Sequence, residues 1–368
     1  MSTLRVIHIA PELPPTVGGV ADYTAILSRR LVEVSDGAVE PVLVHAGYQE
    51  TDAIEVTFPV VDLSGECSAT ALAETIERLD GHADGQAVVL LEYSGYGYAK
   101  RGAPRWLERG LSRVCGEVDI PLITVFHELY ATGPPWSSAF WLSILQKHVV
   151  RQLARRSTAT LTNRPDSASW LRKTTDNVHH RPIFSNVGEL SSLPSWKRRN
   201  PRAVVFGGTG KEALYAKHGS ELKTLLDAAG ISELMDIGPR PDQKLLTPLD
   251  GIEVDVRGFV DHQEVSDHLQ KSRLGLLCRN PEALTKSGSL MAYMSHGVPS
   301  FIAMRHGTQP NPHLEDGIHY LSLKEALKAT KASDNDLSEI GRRGHDWYQS
   351  NAHSRDAAAS VLRLIDAQ

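Results

Sequence analysis

The sequence predicts an α/β fold in two units, on three observations. Short apolar runs suited to buried strands alternate with amphipathic helix patterns along the chain. Two of these strands, Leu4–Ala10 and Val204–Phe206, each run into a glycine-rich loop and then a helix, so the halves share one plan. The chain has 368 residues, enough for two domains of ordinary size.

In the first half, Leu4–Ala10 leads into a loop rich in Pro and Gly and a helix over Val20–Val32. Gly18 and Gly19 allow backbone to approach a ligand at the carboxyl end of strand one, where open α/β sheets bind ligands. A plain tight turn is the other reading. No Gly follows three residues on, so a dinucleotide fingerprint is excluded. Asp22 and Tyr23 fall on the first helical turn. Val42–His45 and Ala87–Leu91 are further strands, the latter opening a tyrosine- and glycine-rich loop through Tyr96. Such tyrosines either cover a sugar pocket or pack half-buried. His127 and Glu128 stand at the end of the strand Pro121–Phe126, placed to face a ligand; a purely structural histidine is the other reading.

Phe140–Arg156 is a helix pattern with Trp141, Leu145, Val149 and Leu153 on one face. Lys147, His148, Arg151, Arg155 and Arg156 gather along the rest. The first reading is a solvated basic face over a core stripe; the second is peripheral docking on anionic lipid headgroups. Ala159–Thr162 is a strand, Asp166–Lys173 a helix and Pro182–Glu189 an extended piece. The basic, Pro-bracketed run from Ser191 to Pro201 reads as a linker.

The second unit opens at Ala203. Val204–Phe206 ends in Gly207, Gly208, Thr209, Gly210 and Lys211, a loop either made for phosphates or simply a turn. It does not match the P-loop pattern. A helix is expected over Ser220–Ala229, strands over Leu234–Ile237 and Ile252–Val256, and a helix over Val265–Ser272. The strand Leu274–Cys278 precedes Lys286, Ser287, Gly288 and Ser289, which open a helix closed by His296-Gly297. Backbone N–H groups, two hydroxyls and the positive end of the helix dipole suit a phosphate, and an ordinary capped helix is the alternative. Leu323–Thr330 is helical, and a helix from Leu337 to the terminus bends near Trp347-Tyr348.

Composition sets limits. With 41% hydrophobic and 23% charged residues the chain can bury a sizeable core, and a net charge of -5 argues against a general nucleic-acid binder. Cys67, Cys115 and Cys278 lie far apart, giving neither a disulfide framework nor a zinc site. No apolar run is long enough to span a bilayer, and Met1–Ala10 lacks a signal-peptide layout, so a cytoplasmic location is expected, peripheral at most to the inner face of the plasma membrane.

The segment from Pro14 through Gly18, Gly19, Asp22 and Tyr23, with His127, the Gly207–Lys211 loop and the run Ser287–Pro299, resembles glycosyltransferases of the two-Rossmann-domain type, the GT-B fold. Within that fold it resembles the retaining group related to family 4. The resemblance covers nearly the whole chain. It implies two Rossmann-like domains facing across a cleft: an acceptor domain over 1–190, a linker over 191–202 and a donor domain over 203–345. A helix over 346–368 returns to the N-terminal domain. Family members commonly carry two glutamates, which alignment places at Leu284 and Ala292. Both are missing here, and Glu282 is the nearest substitute.

The activity implied is transfer of a sugar from a nucleotide diphosphate sugar, a UDP- or GDP-sugar, to a hydroxyl of a saccharide or lipid-linked saccharide, in polysaccharide or glycolipid assembly. No cofactor or metal is expected. Lys211 and Lys286 would stabilise the leaving diphosphate with Gly18, Gly19, Gly207, Thr209, Ser287, Gly288 and Ser289. His127 would contact the transferred sugar, and Asp22, Tyr23, Glu128 and Tyr96 the acceptor. A nucleotide-sugar 2-epimerase and a degenerate, binding-only relative are the competing readings.

Overall fold

The computed structural model describes residues 3–51, 53–81, 86–134, 136–208, 210–304, 310–328 and 334–367. The chain divides into two compact units, Met1–Arg181 with Ser354–Gln368, and Pro182–His353.

The first unit runs β1 (Leu4–Ala10), α1 (Gly19–Val34), β2 (Val39–His45), β3 (Val60–Asp62), α2 (Ala69–Gly81), β4 (Ala87–Tyr93), α3 (Gly95–Tyr98), α4 (Arg105–Arg113), β5 (Leu122–Phe126), α5 (Ser138–Arg156), β6 (Ala159–Thr162), α6 (Pro165–Leu171) and β7 (Val178–His180). Its sheet has the order β3-β2-β1-β4-β5-β6-β7, and every pair is parallel. A parallel sheet is covered on both faces, which is why its strands read as unbroken apolar runs. The order reverses between β1 and β4, so the ligand crevice of this unit is expected at their carboxyl ends.

Register decides which side chains meet there. His8 aligns with Leu90 on β4, and Glu92 with Val125 on β5. By the two-residue alternation, His8, Glu92 and His127 share one face. The opposite face carries Ile7, Ile9, Leu91, Tyr93 and Phe126 into the main apolar core.

The second unit runs β8 (Asn200–Phe206), α7 (Lys211–Ala228), β9 (Glu233–Ile237), β10 (Glu253–Gly258), α8 (His262–Lys271), β11 (Ser272–Cys278), α9 (Gly288–Ser295), β12 (Ser300–Ala303), β13 (Leu321–Ser322), α10 (Leu323–Lys328) and α11 (Asp334–Asn351). The last helix, α12 (Ser354–Asp366), belongs to the first unit, where it packs on α1 and Arg30 Nε donates to Ser354 Oγ at 2.8 Å. The second sheet, β10-β9-β8-β11-β12-β13, repeats the same reversal between β8 and β11. No helix among the described residues is long and apolar enough to cross a membrane.

The structure corrects several sequence expectations. The chain divides at 181/182 and 353/354, and not at 190 and 345. The run 191–202, expected as a linker, is part of the second unit because Arg199 is buried there. Its guanidinium donates to the carbonyls of Leu269, Ser272 and His296 at 3.1, 2.7 and 2.6 Å. The segment before it is tied in by Tyr348, which accepts from Ser185 N–H at 2.7 Å and donates to Glu189 at 2.6 Å. The C-terminal bend falls at Ala352–His353, past Trp347-Tyr348.

The sequence pattern does not show helix α4, and α7 begins nine residues before the expected Ser220. Each holds an interior glycine, which costs a helix about 1 kcal/mol. Both glycines admit a close neighbour: a Cβ would stand 2.9 Å from Ala69 O at Gly110 and 3.0 Å from Pro248 at Gly219.

Replacing Arg199 by Met removes the guanidinium from three buried carbonyls, of which Leu269 O keeps a second donor, the Ser272 N–H. The variant is expected to lose at least about 3 kcal/mol of unfolding free energy in urea titration; a loss under about 1 kcal/mol would contradict this account.

Candidate functional site

In the second unit the chemistry gathers at the reversal of the sheet. Gly207, just past β8, has φ 95°, a left-handed conformation that favours glycine. Its N–H donates to Ile237 O at 3.0 Å. A Cβ there would stand 2.8 Å from Ser289 Oγ, so the loop lies directly against the start of α9. Ser287 caps α9, its Oγ accepting from Leu290 N at 3.3 Å. The Gly288 and Ser289 amides lie in the first turn, before intrahelical bonding begins. A Cβ at Gly288 would meet nothing within 4 Å, so this N-terminus is open. Lys286 is half-buried immediately before the cap. An open helix N-terminus with a lysine beside it has the chemistry to hold an anion.

The helix is held rigidly. Ser289 Oγ donates to Phe206 O, and Tyr293 Oη accepts from Phe206 N–H at 2.9 Å. Tyr293 also reaches Val204 O and Leu276 O at 3.1 and 3.2 Å. Its ring lies so close to β11 that a Cβ at Gly275 would be 2.5 Å away. At the far end, burial pushes the His296 imidazole down to about 4, the Ala292 carbonyl opposing the shift and Arg199 adding to it. The neutral ring donates from Nδ1 to Ala292 O at 2.8 Å, leaving Nε2 to accept from Ser266 Oγ, also at 2.8 Å.

Lys211 has partners of its own. Its Nζ lies 2.7 Å from Asp236 Oδ1, 3.0 Å from Pro239 O and 3.2 Å from Ile237 O, which occupies its three donors. Tyr215 Oη donates to the other carboxylate oxygen at 2.6 Å. The lysine expected to meet a phosphate therefore braces the turn after β9. Burial is the reason: at 6% exposure the ammonium needs a counter-charge, and Asp236, fully buried on β9, supplies it. Thr209 lies outside the described residues. Leu284 and Ala292, in the places of the family's glutamates, are fully buried, and Glu282 accepts from Asn280 Nδ2 at 3.1 Å.

In the first unit the central group is Glu92, fully buried at the end of β4. Its two oxygens lie 2.9 Å from His8 Nε2 and 2.6 Å from His127 Nε2. Burial alone would raise its pKa; the hydrogen bonds and charges of His127 and His8 outweigh that and hold the carboxyl below its ordinary value. An ionised Glu92 accepts only, so both imidazoles present Nε2–H to it. Ser28 then lies 2.8 Å from His8 Nδ1, and Asn163 Nδ2 3.4 Å from His127 Nδ1.

Tyr23 is buried with its ring edge-on to His127, centroids 5.0 Å apart. Burial raises its phenol, with Glu92 adding and Arg181 opposing. Asp22 is half-buried beside it and Glu128 is exposed. Of the loop tyrosines, Tyr93 and Tyr98 are fully buried packing residues, and Tyr98 Oη donates to Glu92 O at 2.9 Å. Tyr96 is 44% exposed and its Oη accepts from Gln146 Nε2 at 3.3 Å.

Gly18 caps α1 in an extended conformation, and a Cβ there would be 2.6 Å from Glu12 Oε2. Burial raises the Glu12 carboxyl, with His45 opposing. A Cβ at Gly19 would meet nothing within 4 Å.

The structure thus brings Gly207, Ser287, Gly288 and Ser289 together in one unit, and His127 with Tyr23 in the other. Sequence reasoning missed Glu92, His8, Glu12 and Asp236. For His8, Glu92 and Asp236 the available signal was a charged or imidazole side chain inside an otherwise apolar strand, which burial makes costly unless it is paired; Glu12, in the loop after β1, carries no such signal. Among the described residues no group of three or more His, Cys, Asp or Glu is arranged to hold a metal ion.

No protein-family model and no curated protein matches this sequence. Solved structures do match in fold. Sucrose-phosphate synthase from Thermosynechococcus elongatus aligns over 99% of this chain and 98% of its own, with TM-score 0.67 and 12% identity. A TarM variant from S. aureus, in complex with Fondaparinux, alpha-GlcNAc-glycerol and UDP, covers 99% of both chains, with TM-score 0.60 and 9% identity. A putative UDP-N-acetylglucosamine 2-epimerase from Listeria monocytogenes covers 100% of this chain and 96% of its own, with TM-score 0.61 and 12% identity. These likenesses show the fold: two Rossmann-like parallel-sheet domains of the GT-B class.

Two outcomes are expected from these networks. Lys211→Met strands the Asp236 carboxylate and lowers stability by about 3–5 kcal/mol, while Lys211→Met with Asp236→Leu recovers a large part of the loss. Urea denaturation checks both. Because the folded Glu92 carboxyl sits below its ordinary 4.5, its stabilising contribution is full above that value and is lost as pH falls through the depressed one. Glu92→Gln is therefore expected to be less stable at neutral pH and to lose less than the parent on acidification, in denaturation midpoints taken down to roughly pH 3.

Proposed function

We propose that this chain is a retaining glycosyltransferase that moves a sugar from a nucleotide diphosphate sugar, a UDP- or GDP-sugar, to a hydroxyl of a saccharide or lipid-linked saccharide in polysaccharide or glycolipid assembly. The observation that carries the reading is the open N-terminus of α9 meeting the Gly207 loop where the second sheet reverses. It suits a diphosphate. The TarM and sucrose-phosphate synthase likenesses support it at the level of fold.

In this reading the bond from the sugar's anomeric carbon to the diphosphate breaks, and a bond from that carbon to the acceptor oxygen forms on the same face. The acceptor proton passes to a donor phosphate oxygen, so no protein nucleophile is required. The Gly288 and Ser289 amides, the Ser287 dipole end and Lys286 stabilise the charge growing on the leaving diphosphate, without a call on a metal. Lys211 positions the neighbouring turn. His127, its tautomer fixed by Glu92, hydrogen-bonds a hydroxyl of the transferred sugar. Glu12 gives the Gly18–Gly19 turn an acidic neighbour, which suits acceptor hydroxyls, with Asp22, Glu128 and Tyr96, better than a phosphate.

A thermal-shift screen over uridine, guanosine, thymidine and adenosine diphosphates tests the donor site. A nucleotide at a hundred times its Kd stabilises by about 2.7 kcal/mol. Gly288→Leu projects into open space, so the fold should be kept while that stabilisation disappears. Lys286→Ala is expected to lower turnover about a hundred- to thousandfold. A Gly288→Leu protein that still responds fully to the nucleotide would refute the site.

The epimerase likeness keeps one second reading. Incubation with labelled donor alone decides it: an epimerised sugar nucleotide formed without acceptor would replace the transferase assignment.

A further inference from the structure

Helix α5 turns only the C-terminal half of its expected stripe inward, Val149 and Leu153 being buried. Trp141 and Leu145, read from the sequence as core positions, are 65% and 39% exposed, and Ile144 is 57% exposed. Trp136, just before the helix, is 86% exposed. Gln146 and Val150 complete the buried face in place of Trp141 and Leu145. Among the described residues, four of the eight large exposed hydrophobics fall within 136–145, so this is a patch and not scatter.

The outward stripe continues in a different character. After Trp141, Ile144 and Leu145 come His148, Arg151 and Arg155, all exposed, Arg151 lying over the Trp170 ring at 5.2 Å. None of the nineteen residues of α5 is acidic. One exposed line is thus apolar at its N-terminal end and cationic at its C-terminal end, about 21 Å long at 1.5 Å per residue.

We propose that this line docks on an anionic phospholipid bilayer. Trp136, Trp141, Ile144 and Leu145 enter the boundary between headgroups and acyl chains, and His148, Arg151 and Arg155 lie along the phosphates. Indole rings favour that zone because they are apolar with a single N–H. A basic half beside an apolar half matches an interface that is itself apolar below and anionic above. A second copy is a poorer occupant. Pairing this line with itself in parallel sets cations on cations, and in antiparallel sets cations on an apolar patch. The proposal does not rest on the transferase reading, since binding is scored without turnover.

The test is co-sedimentation of the full chain with vesicles of phosphatidylglycerol and phosphatidylcholine in equal parts, and of phosphatidylcholine alone. Expected is pelleting with the mixed vesicles only, reversed by added salt. Trp141→Ser with Ile144→Ser should abolish most of the binding, and Arg155→Gln should weaken it about fivefold. These positions are exposed, so unchanged urea midpoints will confirm that the variants fold. Absence of pelleting with the anionic vesicles, or pelleting untouched by the double substitution, would overturn the proposal. A dimer in light scattering that Trp141→Ser dissolves, with no vesicle binding, would give the surface to a second copy and equally overturn it.

Discussion

Both main-chain polar groups of one residue organise the second unit's site. Phe206 offers its N–H to Tyr293 and its C=O to Ser289, so a single residue at the end of β8 is gripped twice by α9. Strand end and helix start are thereby held in one geometry. Pre-organised amides gain their value from not having to move when charge develops. Gly275 and Gly207 are the complementary concessions: one yields space to the Tyr293 ring, the other to the Ser289 hydroxyl.

The first unit meets a different constraint. Three polar side chains, His8, Glu92 and His127, occupy one face of a sheet whose other face is apolar core. A buried carboxylate is tolerable there because each oxygen has a donor. The cost of that burial fixes proton positions, and the site inherits a histidine whose orientation does not depend on ligand. The buried Lys211–Asp236–Tyr215 group does the same for the turn after β9.

The two-unit α/β plan was legible because buried parallel strands are apolar throughout and because glycine marks the turns that follow them. Gly207, Ser287 and Ser289 were legible for the same local reason. Glu92 and Asp236 were not. Their partners lie 84 and 25 residues away: strand register brings His8 to Glu92, and the turn from β8 into α7 brings Lys211 to Asp236. The error on α5 is geometrical. Residues Trp141, Leu145, Val149 and Leu153 are spaced by four, and each such step overshoots a full turn by about 40°. Across three steps that line winds about 120° around the helix, from solvent at Trp141 to core at Leu153.

The double grip on Phe206 also bears on what the position tolerates. Neither bond involves the aromatic ring, so the requirement is written in the main chain and leaves the side-chain alphabet nearly free. The exception is proline, whose imide nitrogen has nothing to give Tyr293. A site secured in this way can drift in composition while keeping its shape.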